Sequence, residues 1–391
     1  MLFLHIFNEH KQRHMRISTK IRTSLLIIGS IAFSNASFAQ DEVGEFLKAA
    51  PADATALTKA YLEPVFKGFG IGLNSGWTNT ASVKKLGRFE LRISATGAFV
   101  PSSDKSFDVT KIGLTRIRPT DPNNVIAPTA AGAKRSGPEV EIIGDDGDQA
   151  TKFTLPKGLN VPLIPGPQLQ ASIGLIKGIE LTARYMPEIK PGGDFGTLSM
   201  LGGGIKFQPL RLVSKTASKL LPFDLAVGLG YNQFKYSYDL DVRPDDNWVP
   251  KPGSPEALAA AANPNETFKD QKVGATFSGI NAEVIVSKKL LFFTPFASLG
   301  YMTSNTDAGV KGKFAVVTGT SQTVVVGNPF PVEKAHYEIV ANPVNIDEKY
   351  IDSFRASAGF QLNLAFLRFY ASYNLATYNY VNAGIGFGIG K

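Results

Sequence analysis

Between residues 167 and 186 the chain changes character at almost every step. Leu169, Ala171, Ile173 and Leu175 are apolar, while Gln168, Gln170, Ser172 and Gly174 between them are not. After Lys177 and Gly178 the rhythm resumes, with Ile179, Leu181, Ala183 and Tyr185 alternating with Glu180, Thr182 and Arg184. A period of two is the mark of a strand with unlike faces. Directly opposed residues of an antiparallel pair share a face, which fixes the loop. A two-residue loop would set Leu175 against Glu180. A three-residue loop at 176–178 sets Leu175 against Ile179 and Ile173 against Leu181, and it wants glycine last for left-handed geometry, where Gly178 stands.

The same alternation recurs along the chain. At 88–100, Phe89, Leu91, Ile93, Ala95 and Phe99 oppose Arg88, Glu90, Arg92, Ser94 and Thr96. Further strands are predicted at 195–207 (glycine-rich), 222–231, 274–286, 290–301, 353–364, 367–375 and 381–389, which with the hairpin makes ten. If the first rises from the periplasmic side, its even-numbered connections fall at 176–178, 208–221, 287–289 and 365–366, and all are short or moderate. The long connections, 101–167, 241–269 and 303–352, all fall at the other end. Short turns at one end and long loops at the other are expected of an outer-membrane barrel; a soluble sandwich has no reason to sort its loops. Extra hairpins around 107–117 and 310–326 would keep the parity, so 10 to 14 strands are expected.

A soluble barrel turns its apolar face inward, and a membrane barrel turns it outward. No single strand distinguishes them, but the sorted loops favour the membrane form. The fold class expected is therefore all-β, a transmembrane antiparallel up-and-down β-barrel. The polar face then lines the lumen, and its charged members are Arg88, Glu90, Arg92, Glu180, Arg184, Glu283, Arg355 and Arg368, beside Gln168, Gln170, Asn281, Gln361, Asn363 and Asn374. An arginine facing lipid at mid-membrane costs about 2–4 kcal/mol, whereas in the lumen it can pair with Glu90, Glu180 or Glu283. Such charges either brace the interior or select a permeant.

One region breaks the strand rhythm. From 41 to 70, Leu57, Tyr61 and Val65 fall at i, i+4 and i+8, with Leu62 and Phe66 beside them, the spacing of an apolar helix stripe. Pro51 suits its start and Gly68 and Gly70 its end. The segment 40–80 is too short for a domain of its own, and is expected to plug the barrel of residues 81–391 or to lie at its periplasmic mouth.

The first 39 residues read as an export signal. MRISTKIRTS from Met15 is basic, LLIIGSIAF at 25–33 is too short to span a membrane, and Ser37, Phe38 and Ala39 form a small-x-small cleavage site. The true start then falls at Met15. Lys11, Arg13, Arg16, Lys20 and Arg22 against Glu9 account for half of the net +8, so the rest of the chain is only mildly basic and no tract suggests nucleic acid. The chain has no cysteine, which excludes disulfides, thiolate metal sites and a lipoprotein anchor.

Other chemistry is thin. After the signal the one histidine is His336, in an external connection; a Ser–His–acid hydrolase would need it, but no G-x-S-x-G accompanies it. GFGIGLNSG (68–76) lacks the ending of a phosphate loop and reads as a flexible link. GDDGD (144–148) and DLDVRPDDN (239–247) are acidic loops without EF-hand spacing. No metal or cofactor is called for. Trp77, Trp248, Tyr236, Tyr238, Tyr378 and Tyr380 sit near predicted strand ends, where interfacial aromatic belts are expected.

The stretches YLEPVFKGFGIGLNSGWTNTASVKKLGRFEL, SGPEVEI, FTLPKG, QLQASIGLIKGIELTARYMPEI, LPFDLAVGLGY, SFRASAGFQLNLAF and NAGIGFGIG are similar to those of an uncharacterised family of outer-membrane barrels from Bacteroidetes, across roughly residues 61–390. That resemblance implies a barrel inserted by the barrel assembly machinery among outer-membrane lipids, with no assigned activity; Lys391 stands where an aromatic is frequent. A looser likeness to long-chain fatty-acid transport barrels implies a plug and a hydrophobic permeant. The function expected is a channel or transporter for a small solute, with a small hydrophobic ligand among the candidates. The alternatives are a structural or surface-interaction barrel with a filled lumen, and an outer-membrane hydrolase built around His336.

Overall fold

The computed structural model describes residues 45–144, 147, 149–190, 196–213, 221–323 and 332–388. The export signal, most of GDDGD and Lys391 lie outside the described residues. Ten strands close a barrel: β1 (Phe89–Phe99), β2 (Leu163–Gly174), β3 (Ile179–Ile189), β4 (Thr197–Phe207), β5 (Asp224–Asp239), β6 (Lys272–Ser287), β7 (Phe293–Lys311), β8 (Val344–Leu364), β9 (Leu367–Leu375) and β10 (Tyr380–Gly388). Each pairs antiparallel with the next, and β10 returns to β1. The β2–β3 hairpin has the expected register: Ile173 lies opposite Leu181, the Leu175 N–H donates to the Ile179 carbonyl at 2.8 Å, and Gly178 has φ 80°.

The apolar face points outward. Phe89, Leu91, Leu201, Leu229, Ile280 and Leu299 are exposed on the barrel surface, whereas Glu90, Arg92, Glu180, Arg184, Glu283 and Arg355 on the other parity are buried. The opening ambiguity is resolved in favour of the inverted, membrane-type barrel. No helix among the described residues is long and apolar enough to cross a membrane; here the strands do so.

Strands β5 to β8 run further than the alternation of apolar residues suggested. The stretch 303–352, read as connection, contains the upper halves of β7 and β8. The reason is a switch of polarity along the strands. Outward residues on β7 are Leu299 and Tyr301, then Thr303, Asn305 and Asp307; on β8, Phe354 gives way to Asp352 directly across from Thr303. On β5 and β6, Tyr231 and Ile280 are followed by the opposed pair Gln233 and Ser278. Above that line the inward residues become apolar: Phe234 on β5, Phe277 on β6, Val310 on β7, Ile346 on β8. On β5 to β8 the lower storey is built for lipid outside and the upper one for water outside, whereas on β1 and β2 the outward face stays apolar up to the opposed pair Phe99 and Leu163.

Of the two extra hairpins expected, the one around 107–117 does not form, since Ser106–Asp108 pairs with Ile126–Pro128, and the one near 310–326 forms outside the barrel wall. Lys313–Thr323 pairs with Val332–Ala341, which also meets Val249–Pro250, and Glu139–Ile143 lies between Ile117–Pro119 and Gln149–Thr154. These small sheets cap the long-loop end.

Helix α1 (Pro51–Asn74) enters the lumen from that end and touches the inner faces of β2, β7 and β8. Pro51 does open it. Its end, however, is Asn74 and not Gly68 or Gly70, and GFGIGLN is helix rather than flexible link. The glycines are there for contact: a Cβ on Gly72 would lie 3.2 Å from the Gly166 Cα of β2, so helix and wall meet backbone to backbone.

Candidate functional site

Below α1, residues 75–88 descend through the lower storey without regular structure before β1 begins. Irregular backbone is tolerated at membrane depth only when protein satisfies its polar groups, and the lumenal side chains do this. Arg184 is fully buried; its Nη1 donates to the Leu73 carbonyl (2.8 Å), its Nη2 to the Ser75 carbonyl (2.7 Å) and its Nε to Gln170 Oε1 (3.0 Å). Arg92 donates to the Gly76 carbonyl (2.9 Å), Asn232 to the Leu73 carbonyl (2.8 Å), and Lys206 to the carbonyls of Thr80 (3.2 Å) and Ser82 (3.1 Å). The guanidinium of Arg184 also lies 3.8 Å from the ring centre of Trp77.

The charges form two groups. Glu90 meets Arg92 (3.3 Å), Lys84 (3.4 Å) and Arg368, and Glu180 meets Lys84 (3.0 Å) and Lys206 (3.3 Å). Glu283 is held by Arg355 (2.6 Å) and accepts from the Thr78 hydroxyl (2.8 Å). Cations outnumber carboxylates among these residues, and backbone carbonyls of the plug segment take up the difference. All the charged candidates except Arg88 therefore converge on the lumen. Arg88 sits half-buried in the turn before β1, where its carbonyl accepts from Gly174 N–H.

The plug candidates Leu57, Tyr61 and Phe66 are buried, and Leu62 and Val65 are half-buried against the same core. The helix is tied to the upper rim. Asp53 accepts from the backbone N–H groups of Thr115 and Arg116 (both 2.8 Å), Lys59 pairs with Glu348, and Asp104 binds Lys67 (2.9 Å) and the Tyr378 hydroxyl (2.6 Å). Partial burial opposes ionisation of Asp104, but the Tyr378, Lys67 and Ser103 donors outweigh it and hold its carboxyl below the ordinary range. Burial, and next the Asp104 carboxylate, push the Tyr378 hydroxyl up.

Between α1 and the upper storey lies a cavity of about 290 Å³. Leu62, Val65, Phe66 and Phe69 of α1 form one side. Phe234, Tyr236, Phe277, Val310 and Ile346 form the other, and Ile164 and Pro165 of β2 with Leu198 of β4 complete it. Its wall is almost wholly hydrocarbon, with Thr58 among the few polar lining groups.

Several sequence expectations are corrected here. The aromatic belt assignment fails for its six residues: Trp77, Tyr378 and Tyr380 are buried inside, Trp248 packs on Tyr337, and Tyr236 and Tyr238 line the cavity. Tyr236 and Tyr238 share Phe234's inward parity above the polarity switch, which the strand pattern in isolation conceals. His336 sits in the Val332–Ala341 strand, not in a solvated loop, with Nδ1 3.4 Å from the Thr318 hydroxyl. Of the acidic loop 239–247, Asp239 and Asp241 pair with Lys272 and Arg243. No group of three or more metal-ligating side chains assembles among the described residues. Sequence reasoning missed Lys84 and Lys206. Lys206 sits at inward parity in a glycine-rich strand and could have been found; Lys84 lies in the irregular segment, where no period marks it.

The sequence model of DUF6588, a family of unknown function, matches residues 18–389. No curated protein matches the chain. Similar solved structures include the outer membrane protease OmpT from Escherichia coli, at 10% identity and TM-score 0.29, covering 81% of this chain and 100% of that one. The Ralstonia pickettii toluene transporter TbuX is 10% identical at TM-score 0.23, covering 83% and 97%. Ail, the attachment invasion locus protein of Yersinia pestis, is 8% identical at TM-score 0.23, covering 78% and 99%.

Proposed function

The chain belongs to DUF6588, a family of unknown function, and on that footing we propose that it is an outer-membrane barrel that takes a small apolar solute into its upper storey. The observation that carries this reading is the cavity of about 290 Å³ with a nearly all-hydrocarbon wall. Its position suits capture at the cell surface: it lies at the long-loop end, under the capping sheets and over the polar floor made by residues 75–88. Apolar lining with few polar groups is the usual make-up of a site for a hydrophobic ligand. The apolar outer face and the sorted loops support outer-membrane placement.

The test uses N-phenyl-1-naphthylamine, a small dye that brightens in apolar surroundings. Saturable binding by the refolded barrel is expected, and Ala275→Trp, which would fill the cavity from β6, is expected to weaken it at least tenfold. Absence of saturable binding, or binding indifferent to Ala275→Trp in a folded variant, overturns the reading.

One observation favours a second reading, a barrel that serves as a closed surface scaffold. The floor is bound by charge-assisted hydrogen bonds from β1, β3, β4 and β6, as a permanent filling would be. A folded barrel that binds no dye and conducts no ions with its plug loosened supports the scaffold.

A further inference from the structure

The hydrogen-bonded ladder between β2 and β3 stops halfway up the wall. It runs from Gly174–Glu180 to Gln170–Arg184 and ends there, although β2 continues to Leu163 and β3 to Ile189. The same register carried upward would place Leu169 opposite Tyr185 and Pro167 opposite Pro187; above that rung a bulge in β3 turns Ile189 to Leu198 of β4.

Parity explains the stop. In an antiparallel sheet both backbone groups of a residue point to the same neighbour, and alternate residues point to opposite neighbours. Leu175 N–H donates to Ile179, so odd-numbered residues of β2 and β3 face each other; Gly174 N–H donates to Arg88, so even-numbered residues of β2 face β1. Pro165, Pro167 and Pro187 thus stand at the positions whose donors should close this seam, and proline has none. At the 167–187 rung neither strand can donate. The β1 side is untouched and stays paired through to Leu163. An open seam in hydrocarbon would normally strand its N–H groups without partners. Prolines at these positions remove three such donors beforehand.

The seam is beside lipid and backed by the cavity. Leu163 pairs with Phe99, an exposed outward residue of β1, and Tyr185 of β3 is exposed outward. Ile164 and Pro165 at its β2 edge line the cavity, with Leu198 on β4 beyond. Below, the way down the barrel axis is closed by the Arg184–Trp77 stack and the Glu90 and Glu180 clusters.

We propose that the β2–β3 seam is a lateral opening between the cavity and the bilayer, and that the solute is an uncharged molecule that exchanges sideways with the hydrocarbon. This rests on the cavity being the solute site. The absence of cysteine allows a direct test. Val65→Cys puts one thiol on the cavity wall, in barrels reconstituted into nanodiscs whose lipid carries N-(1-pyrenyl)maleimide. Labelling from the bilayer is expected. It is expected to slow at least tenfold when Pro167→Thr and Pro187→Val restore both donors of the rung and let the wall zip up, while binding of N-phenyl-1-naphthylamine in detergent stays as in the parent. If the double substitution prevents folding, Pro187→Val by itself is expected to slow labelling at least threefold. Unchanged labelling in a folded variant overturns the lateral opening and leaves the cavity reading standing. A parent that binds no dye overturns the cavity reading, and the lateral opening with it.

Discussion

Arg184→Met should loosen the floor of the barrel without breaking its wall. The methionine keeps an aliphatic chain beside Trp77 but has no donors. Three hydrogen bonds of 2.7–3.0 Å are lost. The Leu73 carbonyl keeps Asn232 at 2.8 Å, so the Ser75 carbonyl and the Gln170 amide oxygen are the acceptors at risk. A hydrogen bond to a charged group contributes about 1.5–3 kcal/mol, and the contact with the Trp77 ring adds up to about 2 kcal/mol when desolvated. Against this, a buried guanidinium no longer has to be stripped of water, which recovers several kcal/mol. A net loss of about 3 kcal/mol is expected, roughly a factor of 10² in the opening of residues 73–80. Amide hydrogen exchange in nanodiscs reads this directly, and the protection of those amides should fall by about that factor while the ladders of β1 and β10 keep theirs. Planar-bilayer recordings should show intermittent conductance absent from the parent. Protection within threefold of the parent, with no new conductance, would show that the side chain does not hold the segment and would refute the reasoning.

Three further outcomes are expected. Leu299→Arg should cost about 2–4 kcal/mol of folding stability in lipid vesicles, whereas Asn305→Arg, on the same face of β7 but above the polarity switch, should cost little; equal costs in urea titrations would misplace the membrane boundary. Gly230→Val should destabilise the barrel by about 1–3 kcal/mol through overpacking, because even a Cβ there would lie 2.4 Å from the Trp77 ring, and Trp77→Ala should relieve much of that loss in a double-mutant cycle. The Asp104 contacts should contribute stability above the ordinary carboxylate value of about 3.9 and lose it as pH falls through the lowered value of the folded state; heat-modifiability on gels should therefore be flat in this respect from neutral pH to about 4 and drop below it, and Asp104→Asn should lack that drop.

The wall of this protein was legible because alternation is a local signal. Ile173 and Leu181 could be set opposite each other from the hairpin alone, and Glu90, Arg92, Glu180 and Arg184 could be put on one face by counting in twos. The plug was half legible. Leu57, Tyr61 and Phe66 show a helix stripe, but the end of α1 was misread because Gly68 and Gly70, with Gly72 after them, look like a terminator only when read locally. Their use is to let the helix touch the wall, a contact made with Ile164, Ser304 and Gly166, far away in sequence. The cavity was illegible for a related reason. Its wall comes from residues that keep strand parity while the medium outside changes, and parity by itself does not say where the membrane stops.

That change of medium gives the site its chemistry. Along β7 the inward face passes from Ser298 and Gly300 to Ala308 and Val310 while the outward face passes from Leu299 and Tyr301 to Asn305 and Asp307. A strand in lipid gains nothing by burying leucine inside, so its interior is free to be polar and to hold an irregular segment through its carbonyls. A strand standing in water gains by turning its apolar residues in. A barrel tall enough to span both media must therefore contain a polar floor below an apolar chamber. Such a chamber repels a charged solute and the floor repels an uncharged one, so an apolar molecule admitted to the chamber is driven toward the side of the wall where hydrocarbon is nearest. Pro165, Pro167 and Pro187 leave that side unstitched.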